Sequence, residues 1–115
     1  MSGDTATRGD PVRVDLDLPE RLDATTAPHL RDALAIALDA APGAEVVVAA
    51  SAVRVVDSVG LGVLVTAHRN VRRTGGRLVL VDPSPGMIRL LALTRLNRVL
   101  YVERDPRIGR TAAAQ

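Results

Sequence analysis

The order of apolar runs and amphipathic segments constrains the fold of this chain more than any other feature. Residues 11–18 alternate apolar and polar side chains, which is typical of a strand with one solvated face. Later runs are apolar, as in strands buried on both faces: Glu45–Ala50, Val55-Val56, Arg77–Val81 and Val99–Val102. Helical segments and short connections join them, which predicts an α/β fold with packed helices and a mostly parallel sheet of about four to five strands. The solvated face of the first strand favours one antiparallel member, so the predicted sheet is mixed.

Three helices are predicted from apolar spacing and from the residue types at their ends. The first begins after Thr25-Thr26 and ends at Pro42-Gly43, the second runs from Ser58 to Gly75-Gly76, and the third covers Met87–Thr94. We expect residues 1–10 to form a flexible N-terminus, residues 11–103 to form one domain, and residues 104–115 to form a tail. A short strand near residues 5–8 and a weak helical tendency over 111–115 are expected outside the domain.

Composition excludes several classes of function. The chain has no cysteine, which removes thiol catalysis, disulfides and thiolate metal sites, and no lysine, which removes Schiff-base chemistry and a P-loop. All 15 basic residues are therefore arginine, which explains why a net charge of only +2 accompanies a pI near 10.3. So small a charge, with Tyr101 as the only aromatic residue, argues against nucleic-acid binding. The sequence shows no apolar run of membrane-spanning length and no signal-peptide pattern, so a cytoplasmic location is expected.

The stretch that says most about function is the junction at Val55–Val65, where an apolar strand runs into a helix. Asp57 and Ser58 are both common N-cap residues, so either side chain is a candidate cap. The first backbone N–H groups of a helix have no intrahelical partner and favour an anion. The junction therefore either caps the helix or presents the Ser58 hydroxyl where a negative group is stabilised.

A second stripe of the same helix is predicted to face outward as a docking surface. Gly60 and Gly62 leave the backbone of the first turn bare on its outer side and permit close approach. The outward positions that follow this pattern are Val59, Val63, Thr66, Asn70 and Arg73. A stripe that is apolar at the start of the helix and polar farther along suits protein–protein contact. The alternative explanation is the ordinary scatter of apolar residues on a protein surface.

The side chains of a hydrolytic triad are present, but their spacing argues against one. Ser58, Asp23 and either His68 or His29 supply the three residue types. Ser58 does not lie in a Gly-x-Ser-x-Gly elbow, and His68 is about 15 Å farther along the same helix at 1.5 Å per residue. Two isolated histidines without cysteine also argue against a transition-metal site. We therefore predict that the chain is not an enzyme and uses no cofactor or metal.

In its motifs the chain resembles bacterial anti-sigma factor antagonists, which are single-domain members of the STAS family (sulfate transporter and anti-sigma antagonist). The shared motifs are Leu22-Asp23 with Thr25-Thr26-Ala27, the Asp57–Leu61 junction, Gly75-Gly76 before a strand, and Ser84-Pro85 before a helix. They follow the family's order from about residue 10 to residue 103. The resemblance implies a STAS domain over residues 11–103.

The resemblance also implies a phosphorylation switch, with Ser58 as the phosphoacceptor. An anti-sigma factor with a serine kinase fold would phosphorylate Ser58, and a serine phosphatase would restore it. The unphosphorylated chain would bind that anti-sigma factor and release a sigma factor. Support of the switch loop is expected from Asp23, Asp57 and Gly60, and partner contacts from Val59, Gly62, Val63 and Thr66.

The chain departs from the family pattern at three positions, and a second role within the family stays open. Glu20 stands where glycine is common, Ala49 where Asp or Asn is common, and Val59 where a second Ser or Thr is common. The alternative role is an accessory module of a lipid or anion transport system, or a nucleotide-sensing module.

Overall fold

The computed structural model describes residues 12–104. The strands in this range are β1 (Arg13–Asp17), β2 (Arg21–Leu22), β3 (Glu45–Ala49), β4 (Val55–Val56), β5 (Arg77–Val81) and β6 (Tyr101–Glu103). The α-helices are α1 (Ala27–Ala40), α2 (Ser58–Arg73) and α3 (Pro85–Leu93), and a 3₁₀ helix covers Leu96–Arg98. The short strand expected near residues 5–8, the flexible N-terminus and the helical tendency over 111–115 lie outside the described residues.

Four strands form one sheet in the order β1-β3-β5-β6, and every neighbouring pair of them is parallel. Each crossover between neighbours contains a helix, as parallel connections require. The α/β class with four strands and packed helices is therefore confirmed. The antiparallel direction expected for the first strand is wrong within residues 12–104. Alternation along β1 reports an uncovered face at the edge of this sheet, which a strand can have in either direction.

A second, two-stranded parallel sheet joins β2 to β4, pairing Arg21 with Val55 and Leu22 with Val56. The sequence predicts only a turn at β2, because two residues are too few to show an alternation of apolar and polar side chains. The pairing matters for function because it brings the ends of β2 and β4 side by side. Asp23 and Asp57 directly follow these ends.

Leucine, valine and alanine fill the core, as a chain with one aromatic residue requires. Alternate strand residues, among them Val48, Leu78 and Leu80, meet the apolar stripes of the helices. The helices contribute Leu30 and Leu34 from α1, Leu61, Leu64 and Val71 from α2, and Met87 and Leu91 from α3. No helix within residues 12–104 combines the length and apolar character needed to span a membrane.

The predicted helices are confirmed to within two or three residues, and the differences have local causes. Helix α3 begins at Pro85 because proline fits the first helical position behind the Ser84 cap, whose Oγ accepts a hydrogen bond from the Met87 N–H at 3.4 Å. Strand β6 begins at Tyr101, later than predicted, because Val99 still closes the 3₁₀ turn through its N–H bond to Leu96.

Candidate functional site

Asp57 is the N-cap of α2. It has an extended backbone, with φ of −134° and ψ of 179°, and its Oδ1 accepts a hydrogen bond from the Gly60 N–H at 2.9 Å. Its other carboxylate oxygen accepts from the Ala24 N–H at 3.3 Å. One side chain thus starts the helix and holds the loop that follows β2.

Ser58 is the first residue of α2 and is exposed, as predicted. Because Asp57 is the cap, the Ser58 hydroxyl is not used for capping. Among residues 12–104, no acceptor meets the N–H groups of Ser58 and Val59, so two donors at the positive end of the helix remain open. This arrangement can stabilise a negative group on the Ser58 oxygen.

Asp23 organises the loop next to this corner. The Asp23 residue is only 6% exposed, and its carboxylate accepts hydrogen bonds from the Thr25 hydroxyl at 2.5 Å and from the Thr25 N–H at 3.0 Å. The Arg21 guanidinium lies 2.7 Å from the second carboxylate oxygen. The Thr25 hydroxyl bond, with the backbone amides and Arg21, lowers the pKa of Asp23 although burial opposes the shift. The charged carboxylate is therefore a fixed part of the loop.

Thr26 precedes α1 but does not cap it with its side chain. Its hydroxyl instead donates to the Arg21 carbonyl at 2.8 Å and accepts from the Asp23 N–H at 3.1 Å. The Thr25-Thr26 pair, predicted to start a helix, therefore mainly fastens the Asp23 loop to β2.

The two glycines at the start of α2 differ in their surroundings. A Cβ at Gly60 would overlap with the carbonyl of Leu22, so this glycine permits β2 and α2 to touch. The expectation that Gly60 opens the outer side of the turn is wrong, because it faces inward. Gly62 is exposed, and a Cβ there would meet nothing within 4 Å. Only Gly62 leaves an outer surface bare.

The outward stripe of α2 is narrower than predicted. Val59 is 49% exposed, and Thr66 is also exposed. Val63 is only 5% exposed, so its predicted place on the exposed stripe is wrong. Val63 lines a cleft of about 70 Å³ between α1 and α2, together with Arg31, Leu34, Leu38, Thr66 and Asn70. Val63 is buried because α1 packs across this face of α2.

The structure does not bring together the residues of a hydrolytic triad. His68 is 3% exposed on the inner side of α2, whereas Ser58 is exposed at the start of that helix. His29 is exposed on α1. Within residues 12–104, no group of three or more His, Cys, Asp or Glu side chains is arranged to hold a metal ion.

Sequence reasoning singled out Ser58, Asp57 and Asp23 but not the contacts that hold the corner together. The Asp57 bond to the Ala24 N–H joins residues 33 positions apart and depends on the pairing of β2 with β4, so it leaves no local signal. The Arg21–Asp23 ion pair joins residues only two positions apart and is a local contact that the sequence reasoning missed.

Comparison with known proteins gives the family from sequence and the fold from solved structures. Residues 5–102 match a family model described as "Mlab, STAS domain". Two curated relatives, from Listeria monocytogenes and Listeria innocua, are named anti-sigma-B factor antagonist. Each is 30% identical to this chain over 94 residues, which cover 82% of both chains.

Solved structures share the fold. The anti-sigma factor antagonist SpoIIAA in its unphosphorylated form superposes with a TM-score of 0.70 at 17% identity, covering 90% of each chain. The phosphorylated form of SpoIIAA, the Bacillus cell fate determinant, gives a TM-score of 0.58 at 18% identity, covering 90% of this chain and 87% of that one.

Proposed function

This chain belongs to the STAS domain family, and we propose that it is an anti-sigma factor antagonist switched off by phosphorylation of Ser58. The observation that carries the proposal is an exposed serine hydroxyl at the N-terminus of α2, beside two backbone donors that the Asp57 cap leaves open. The names of the Listeria relatives support the antagonist role. A protein of the same fold has been solved with and without phosphate, so the fold tolerates such a modification.

The proposed partner is an anti-sigma factor with a serine kinase fold, and a serine phosphatase reverses the modification. Unphosphorylated chain binds the anti-sigma factor and releases a sigma factor, which places this role in the cytoplasm. Partner contacts are assigned to the exposed Val59, Gly62 and Thr66, with Val63 contributing only where the partner enters the cleft between α1 and α2. Asp23, Asp57 and Gly60 hold the corner in shape.

Charge explains how such a switch works. A phosphate adds a charge of about −1.5 to −2, which water solvates while Ser58 is exposed and the helix N-terminus partly offsets. Against a bound partner the same group loses that water. A buried, unpaired charge costs on the order of 3–5 kcal/mol, which is about a hundredfold to several thousandfold in affinity.

The first test is phosphoryl transfer. The chain is incubated with ATP and the anti-sigma kinases of its own host, and its intact mass is measured. We expect one phosphate on the parent and none on Ser58→Ala. Ser84→Ala is the control and should also take up one phosphate, because Ser84 serves as the cap of α3 and is not the proposed acceptor. A phosphate that persists in Ser58→Ala would move the switch to another residue.

The second test is calorimetric titration of the kinase that phosphorylates the chain. Ser58→Ala is expected to bind like the unmodified parent, and the phosphorylated parent at least about a hundredfold more weakly. Ser58→Asp should fall between them, because one carboxylate carries less charge than a phosphate. Equal binding by the phosphorylated and unmodified parent would reject the switch and favour the transport-accessory or nucleotide-sensing role.

A further inference from the structure

His68 is a buried histidine that the proposed switch does not use. It lies on the inner side of α2 with 3% exposure, and its Nδ1 has no hydrogen-bond partner among residues 12–104. Its ring meets the ring of Tyr101 edge to face, with centroids 5.8 Å apart and planes at 67°. The contact joins the central helix to the strand at the edge of the sheet.

Tyr101 begins β6, which is the least secured strand of the four-stranded sheet. Within residues 12–104 its one hydrogen-bonded neighbour is β5, with which it pairs through three residues, whereas β3 and β5 pair through five. All three β6 residues are exposed. Besides the ladder, contacts of β6 include the buried Leu100 just before it, the ring contact of Tyr101 with His68, and the exposed ion pair of Glu103 with Arg77.

The charges around this contact are mainly positive. Arg69 and Arg72 lie on the same helix as His68, and the guanidinium of Arg77 on β5 lies 5.3 Å from the centre of the Tyr101 ring. The nearby carboxylates of Glu45 on β3 and Glu103 on β6 are bound to Arg77, at 2.9 Å and 3.4 Å. Within the described residues, no carboxylate forms an ion pair with His68.

We propose that His68 is an acid-sensitive latch on β6: protonation of its imidazole releases Tyr101 and the edge strand, while the remaining sheet stays folded. A buried imidazolium needs a hydrogen-bond acceptor at each nitrogen, and residues 12–104 place none at the Nδ1 of His68 in the closed form. Opening the edge strand admits water with the loss of the fewest ladder contacts. The strands β1, β3 and β5 keep their pairing in this open form.

The direction of the pH dependence follows from the burial of His68. Burial, followed by the charges of Arg72 and Arg69, lowers the pKa of His68 from its ordinary value of 6.5. The open form therefore binds a proton more readily than the closed form. The latch is closed above pH 6.5 and weakens as the pH falls below that value.

The experiment measures hydrogen exchange of the full chain by NMR at about pH 7.5 and about pH 5.5, corrected for the intrinsic pH dependence of exchange. One pH unit below the ordinary pKa, opening of β6 should rise by up to about tenfold. Amides of β3 are expected to show no such rise. The fluorescence of Tyr101 reports the same event directly, since the chain has no tryptophan.

Two variants and one control separate the latch from other effects of acid. His68→Phe keeps a ring against Tyr101 but cannot be protonated, so the rise in β6 exchange should vanish. His68→Gln serves the same purpose if the phenyl ring does not fit. His29→Gln removes the exposed histidine and should keep the full response.

Three results would overturn the latch. The first is equal β6 exchange at both pH values in the parent. The second is an acid response that survives in the folded His68 variants. The third is a rise of the same size in β3, since acid would then weaken the whole domain rather than its edge.

Discussion

At the scale of single residues, the main feature of the site is that Asp57 caps α2 whereas the adjacent Ser58 does not. Both are good capping residues, but only Asp57 caps, and its carboxylate also holds Ala24. The neighbouring hydroxyl is left exposed and unused by the helix. The proposed modification of Ser58 therefore leaves the cap of α2 in place.

Removal of the Asp57 carboxylate should weaken this corner. Asp57→Ala loses the cap of α2 and the bond to Ala24, and the free energy of unfolding should fall by about 1 kcal/mol or somewhat more. Asp57→Asn keeps an acceptor for Gly60 and should lose less. Urea unfolding at neutral pH measures both. Asp57→Ala as stable as the parent would show that the corner does not need the cap.

Asp23 predicts a pH dependence of stability. The pKa of Asp23 is lowered in the folded chain, chiefly by the hydrogen bond from the Thr25 hydroxyl. The charged carboxylate therefore stabilises the fold fully above pH 3.8, and this stabilisation is lost as the pH falls through the lowered pKa of the folded state. The gap in unfolding free energy between the parent and Asp23→Asn should therefore be constant near neutral pH and shrink in acid. Asp39→Asn, an exposed carboxylate on α1, controls for loss of charge alone. A gap that does not change down to strong acid would contradict the role of the charged group.

At the scale of elements, local sequence patterns predict the helices and the main strands, but they do not predict features that depend on contacts between distant segments. Periodicity and end residues located α1, α2, α3 and the strands of the main sheet. The pairing of β2 with β4 leaves no local signal, and it sets the direction in which Gly60 faces. The predicted outward position of Val63 is wrong for a similar reason, because the packing of α1 against α2 buries this residue and leaves no local signal.

The two glycines of α2 test this close approach between elements. Gly60→Ala places a methyl group against the Leu22 carbonyl and should destabilise the chain by about 1–3 kcal/mol. Gly62→Ala adds a methyl group in open space and improves helix propensity, so it should stabilise by about 0.5–1 kcal/mol. Thermal unfolding of both variants is the measurement. Effects of the same sign would mean that β2 and α2 do not touch as described.

At the scale of the whole molecule, the proposed switch should change binding and leave the fold intact. Ser58 is exposed, and a negative charge at the first position of a helix is favourable by about 0.3–1 kcal/mol. Ser58→Asp should therefore differ from the parent by less than about 1 kcal/mol in unfolding free energy. Ser51→Asp, at an exposed loop position, is the control. A large loss confined to Ser58→Asp would mean that phosphorylation acts by unfolding the corner.

The bond between Ala24 and Asp57 spans 33 positions of sequence, and this separation bears on when the corner forms during folding. Because α1 and β3 lie between the two sides, we expect the corner to form late in folding, after these elements have closed the loop. Substitutions there should speed unfolding more than they slow folding. A kinase that recognises the assembled corner would thus phosphorylate fully folded chains and not partly folded ones. The modification would then be confined to antagonist that is able to bind.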